Sequence, residues 1–196
     1  MIGTSAGGVK VLSAIASALP ADLPAAIFVV MHVPAWSRSV LPRILSSCSR
    51  LPASHAESGA PIEHGRIYVA PPNRHLLLNP AGHVELWQGP KENNFRPSIN
   101  VLFRSAAVAY GPRVTGVILT GTLEDGVAGL WWIKRMKGIA VVQDPADAQF
   151  PEMPHTALWH VPADYVAPAA ALGRLLSDLV TGVPRIPSTA GEDRAT

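Results

Sequence analysis

Ala26-Ile27-Phe28-Val29-Val30-Met31 is an unbroken apolar run that ends at His32-Val33-Pro34. A run this short and this apolar predicts a strand buried on both faces, the kind found in parallel sheets. Upstream, Val9, Leu12, Ile15 and Leu19 recur at helical spacing, and residues 38–48 repeat that rhythm downstream. Farther out, Arg66–Ala70 predicts a strand stopped by Pro71-Pro72-Asn73, and Val114–Leu119 predicts another buried strand. Ile139–Gln143 predicts a strand halted at Asp144-Pro145. Between these strands lie helical patterns. Ser98, after Pro97, predicts a capped helix to Tyr110 with Gly111 as its stop. Gly126–Met136 is helical, and Pro168 at a first helical position opens a helix to about Val180. His75–Leu78 and His83–Trp87 flank Asn79-Pro80-Ala81-Gly82, a hairpin signal. Alternating strand and helix predicts an α/β fold. The architecture expected is three-layer and doubly wound: a mostly parallel sheet, helices on both faces, and a small antiparallel hairpin. One domain over 1–182 and a flexible tail over 183–196 are expected, the tail because its composition turns to Pro, Ser, Thr, Gly and charge.

Composition narrows the function. The chain has 196 residues, 48% hydrophobic and 15% charged, so it has the means to fold around a core. Sixteen basic against 14 acidic residues leave +2 with no Lys/Arg run, which argues against a nucleic-acid partner. The single cysteine, Cys48, excludes an internal disulfide and a cysteine-rich zinc site, and suits a reducing compartment. No apolar stretch approaches the ~18 residues that span a bilayer. Lys10 followed by Val11–Leu19 has the outline of a secretory signal, but glycine-rich residues 3–8 and the break at Leu19-Pro20 favour an amphipathic helix. A cytoplasmic protein is expected. Only Met1 and Ile2 precede Gly3, so the first strand is expected to be a stub, strengthened in stability and activity by a few more upstream residues.

Ligand sites in open α/β sheets form beyond the carboxyl ends of the strands, and three such ends carry reactive side chains. Gly3-Thr4-Ser5-Ala6-Gly7 fits G-x-S-x-G, a sharp strand-to-helix turn that exposes a serine beside backbone N–H groups. It also fits a tight turn or a phosphate-cradling loop, although it lacks the lysine of a P-loop. His32 directly follows the buried strand. Asp125 and Glu124 stand in Gly121-Thr122-Leu123-Glu124-Asp125-Gly126, where an acid also suits the N-terminus of the following helix. A serine needs a base, and the imidazole needs a carboxylate to fix its tautomer. Ser5, His32 and Asp125 at three strand ends meet those needs. Their order, Ser, His, Asp, differs from the Ser, Asp, His of α/β-hydrolases.

In its motifs the sequence resembles the catalytic domain of chemotaxis protein-glutamate methylesterases. The matching stretches are IGTSAGG at 2–8, MHVP at 31–34, APPNRH at 70–75, FRPSINVLF at 95–103, GVILTGTLEDG at 116–126 and MPHTA at 153–157. They run in order from residue 2 to about 180. The resemblance puts the catalytic serine on Ser5, the histidine on His32 and the aspartate on Asp125. It implies hydrolysis of glutamyl methyl esters on the cytoplasmic helices of methyl-accepting chemoreceptors, with methanol release, and often deamidation of receptor glutamines. Oxyanion donors are expected among the backbone N–H groups of Ala6 and Thr122. Full-length family members carry an N-terminal receiver domain; the stretch here reads either as an isolated catalytic domain or as a stand-alone relative with another regulator, and a separate response-regulator domain is an expected partner. Leu123 and Glu152 each stand where the family usually has glycine.

No cofactor is implied, and the remaining histidines, His55, His64, His75, His83, His155 and His160, show no metal-ligand spacing. Cys48 reads as structural, Trp131 and Trp132 as packing residues. Arg96 fits either a loop anchor or a substrate contact. Two other functions stay open: an adaptor of the same fold with weak catalysis, and a phosphate-binding module using the glycine turn.

Overall fold

The computed structural model describes residues 1–182; the tail expected over 183–196 lies outside the described residues. Seven strands make one sheet, all in parallel: β1 (Ile2–Thr4), β2 (Ala26–Met31), β3 (Ala53–His55), β4 (Arg66–Val69), β7 (Thr115–Ile118), β8 (Ile139–Gln143) and β9 (Tyr165–Ala167). Their spatial order is β3-β4-β2-β1-β7-β8-β9. β5 (His75–Leu78) and β6 (Val84–Trp87) pair antiparallel as a separate hairpin, the one expected around residues 79–82. The helices are α1 (Gly8–Ala18), α2 (Leu41–Cys48), α3 (Ile99–Tyr110), α4 (Val127–Arg135), α5 (Glu152–His160) and α6 (Ala169–Thr181).

The period of two along a strand divides this molecule into its layers. Within β2, Ile27 and Val29 face α1, α2 and α6, beside Leu12, Ile15, Leu45 and Leu172. Phe28 and Val30 face the other way, into a second core with Leu102, Phe103, Leu130 and Ile133 of α3 and α4. The hairpin lies on α3 and adds Leu76, Leu78 and Val84 to that second core. This is the three-layer, doubly wound arrangement the strand–helix alternation predicts.

Several boundaries differ from the sequence reading. β3 and β9 are three-residue edge strands that no apolar run announces; each is defined by its partner, β4 or β8. α5 is also unannounced, with Pro154 inside its first turn. α2 begins at Leu41 rather than 38, because Pro42 fits the first turn of a helix. Pro168 is not a first helical residue: it caps α6 from outside with ψ 155, in extended conformation. Among the described residues no helix is long and apolar enough to cross a membrane.

The α1–α6 crossing depends on Gly173. A Cβ there would lie 2.6 Å from the Ala18 Cβ and 2.9 Å from the Ile15 carbonyl oxygen. Alanine should gain ~1 kcal/mol in helix propensity, yet overpacking costs about 1–3 kcal/mol when backbone must move. Overpacking wins. Gly173→Ala should lower the urea midpoint, with a net loss of about 1 kcal/mol; a raised midpoint would mean the two helices are loosely packed.

Candidate active site

β1 lies between β2 and β7, where the winding of the sheet reverses, and the site is assembled at the carboxyl ends of these three strands. Register sets the first two side chains. Thr4 is paired with Met31, so the next residues, Ser5 and His32, leave neighbouring strands side by side; His32 N–H donates to Thr4 O at 3.2 Å. On the other flank Ser5 N–H donates to Thr120 O at 3.1 Å. Ser5 then enters a turn closed by Gly7, at φ 77, which opens α1.

The turn is tied to two other loops. The Thr120 hydroxyl bridges Ala6 O, at 3.1 Å, and Phe150, whose N–H donates to it at 2.9 Å. Thr120 N–H donates to Gln143 Oε1, and Gln143 Nε2 donates in turn to Asp147 Oδ2. The Ala169 N–H and that Gln143 amide hold the Asp147 carboxyl below the usual carboxylate range. Gly121 is a close approach: a Cβ would sit 2.1 Å from Met153 Sδ and 2.8 Å from the Ser5 Cβ. The loop after β7 therefore packs directly on the serine.

Asp125 is 0% exposed. Its Oδ2 accepts from His32 Nε2 at 2.8 Å and from Ile99 N–H at 2.7 Å. Its Oδ1 accepts from Ser98 Oγ at 2.8 Å and from Asn100 N–H at 3.3 Å. Ile99 and Asn100 begin α3, so the carboxylate sits at the positive end of that helix. Ser98 does occupy the cap position, but its hydroxyl makes no cap bond and serves Asp125 instead. Asp125 thus charges α3 rather than the helix that follows it. The start of α4 is satisfied by Asn100, whose Oδ1 accepts from Gly126 and Gly129 N–H.

This network assigns the tautomer of His32. A carboxylate with four donors is acceptor-only, so Nε2 carries the proton and Nδ1 is left with its lone pair. Nδ1 is buried and has no hydrogen-bond partner, so its bond to a serine is unmade here; such bonds often form only with substrate present. The His32 side chain is 4% exposed. Phe95 lies flat on the ring, centroids 3.5 Å apart and planes within 2°. Imidazole orientation is therefore set from the edge by Asp125 and from the face by Phe95.

Phe95, Ser98 and Asn100 fall in or beside the FRPSINVLF stretch but were not legible as site residues, since nothing local says what they touch. His75 is another. Buried, it bonds Pro90 O through Nε2 and accepts from Ser98 N–H through Nδ1, so it braces the residue that braces Asp125. Arg96 resolves to a loop anchor: Nε and Nη2 donate to Asn73 Oδ1, and Nη1 to Gly89 O. The N–H groups of Ala6 and Thr122 donate to no group among the described residues. Leu123 takes φ 67, a left-handed conformation that glycine adopts freely. Cys48 sits on α2, its thiol directed to Leu45 O.

A doubly wound sheet that carries a histidine–carboxylate pair one strand away from a turn serine holds the groups a serine hydrolase uses. The chain belongs to the CheB methylesterase family, whose model matches residues 1–176. A relative from Leptospira interrogans is 40% identical over 166 residues, covering 85% of this chain and 86% of that one. The protein-glutamate methylesterase/protein-glutamine glutaminase 2 of Anaeromyxobacter dehalogenans is 39% identical over 179 residues, 91% of this chain but 52% of its own length. The chain thus spans about half of that longer relative. Among solved structures, the Thermotoga maritima CheB methylesterase catalytic domain matches with TM-score 0.87 and 35% identity, over 91% of this chain and 96% of that one.

Ser98→Ala removes one of four donors to a buried carboxylate. Hydrogen bonds to charged groups contribute about 1.5–3 kcal/mol, so denaturant unfolding should show a loss of that size. Unchanged stability would mean that the Ser98 bond to Asp125 is not made in solution.

Proposed function

We propose that the protein is a serine esterase that hydrolyses glutamyl methyl esters on the cytoplasmic helices of chemoreceptors, and deamidates receptor glutamines at the same site. The His32–Asp125 pair beside Ser5, in a chain of the CheB methylesterase family, carries this reading. Ser5 Oγ attacks the γ-carbonyl carbon while His32 Nδ1 takes the hydroxyl proton, and Asp125 stabilises the imidazolium through Nε2–H. The N–H groups of Ala6 and Thr122 receive the oxyanion, at the positive end of α1. Collapse breaks the bond to the methoxy oxygen, which takes the proton from Nδ1 and leaves as methanol. Water then attacks the acyl-serine with His32 again as base, freeing the glutamate carboxyl and restoring Ser5. A glutamine follows the same course and releases ammonia. The setting is cytoplasmic, and a response-regulator domain is the partner through which the activity is controlled.

Methanol release from methylated receptor is the direct test. Ser5→Ala should remove nearly all of it with the fold intact; more than about a tenth of wild-type turnover would put the nucleophile elsewhere, since loss of a triad member costs orders of magnitude.

Asp125→Asn should lower turnover by roughly 10⁴, as in other triads where the wrong tautomer results. Glu124, exposed and outside the network, should tolerate glutamine. A Glu124→Gln variant slower than Asp125→Asn would reverse the assignment of the carboxylate.

A further inference from the structure

Five residues other than glycine have positive φ among the described residues: Asn73, Asn93, Asn94, Leu123 and Lys137. Asparagine tolerates this region through its short polar side chain, and Lys137 lies just past the end of α4. Leu123 is the apolar member, and its backbone works against its side chain. Packing covers it only in part, since it remains 50% exposed. Backbone strain of this kind gathers at sites of function.

Its position says which function. Leu123 is two residues from Gly121, which packs on the Ser5 Cβ, and two from Asp125, which holds His32. Two residues span about 7 Å at most. The preceding residue, Thr122, carries an N–H that donates to no group among the described residues. A glutamyl γ-carbonyl stands only three bonds from its own Cα, so an ester seated at Ser5 brings its carrier backbone close to the loop that holds Leu123.

Resting on the esterase reading above, we propose that Leu123 is a specificity residue that contacts the polypeptide carrying the ester. Its half-exposed side chain is covered by apolar atoms flanking the glutamyl group once substrate binds.

The test uses Leu123→Asn, which suits the same backbone, Leu123→Gly, and Leu123→Met, which keeps the apolar volume. Each is assayed on a methylated chemoreceptor cytoplasmic fragment by methanol release, and on p-nitrophenyl acetate, a small ester with no polypeptide. Covering half a leucine should be worth roughly a five-fold change in KM. Leu123→Asn and Leu123→Gly should raise KM on the fragment by about that factor with kcat within two-fold, and Leu123→Met should match wild type. Hydrolysis of p-nitrophenyl acetate should be unchanged, and the melting temperatures of the Asn and Gly variants should equal or exceed wild type. Wild-type turnover with an unchanged KM in Leu123→Asn overturns the proposal alone. Equal losses on both esters with a lowered melting temperature overturn it too, by making Leu123 structural. A wild-type chain that turns over neither ester overturns the esterase reading, and this proposal with it.

Discussion

Asp125 is a carboxylate removed from water, and the structure around it follows from that fact. A buried charge is tolerated only when its lone pairs are satisfied. Here four donors converge: two N–H groups of α3, the Ser98 hydroxyl and the His32 ring. To supply them, the start of α3 must abut the loop after β7, and the end of β2 must reach both. The same four bonds therefore hold a helix in place and set the protonation pattern of the imidazole. Loss of the helix position would leave the charge unpaired, so fold and site stand or fall together.

The consequence for chemistry lies in which nitrogen is used. In the serine protease template the carboxylate takes Nδ1 and the serine faces Nε2. Here Asp125 takes Nε2, and the free acceptor is Nδ1. The ring approaches Asp125 with its far nitrogen because His32 follows a central strand directly, with its backbone already bonded to Thr4. Phe95 against one face leaves the ring little freedom to reverse the arrangement. The pairing of carboxylate and imidazole is kept while the nitrogen that makes it is exchanged.

Rigidity at the serine has a different source. Thr120 joins three loops through one hydroxyl, and Gly121 brings the loop after β7 into contact with Ser5. A preorganised site needs donors fixed before charge develops, and short ties between adjacent strand ends supply that fixity. Leu123 is the exception in this frame, an apolar residue held in a backbone conformation it does not favour.

Much of this was legible along the chain. Apolar runs of four to six residues marked β2, β7 and β8, because a strand covered on both faces has no polar side to alternate with. Strand ends followed by Ser5, by His32 and by the loop to Asp125 named the candidate residues, since local pattern shows where a side chain leaves the sheet. The edge strands β3 and β9 were not legible: three residues carry no period, and only pairing defines them. Nor were Ser98, Phe95, His75 and Asn100 as members of the site, because each acts on a group distant in sequence. The sequence by itself determined the fold class and the three residues to suspect, through periodicity and turn chemistry, which are local. The tertiary structure alone decided that the acid caps α3 rather than α4, that it takes Nε2, and that a phenyl ring fixes the imidazole. Those are contacts between segments 25 to 93 residues apart, and they exist only once the chain has closed on itself.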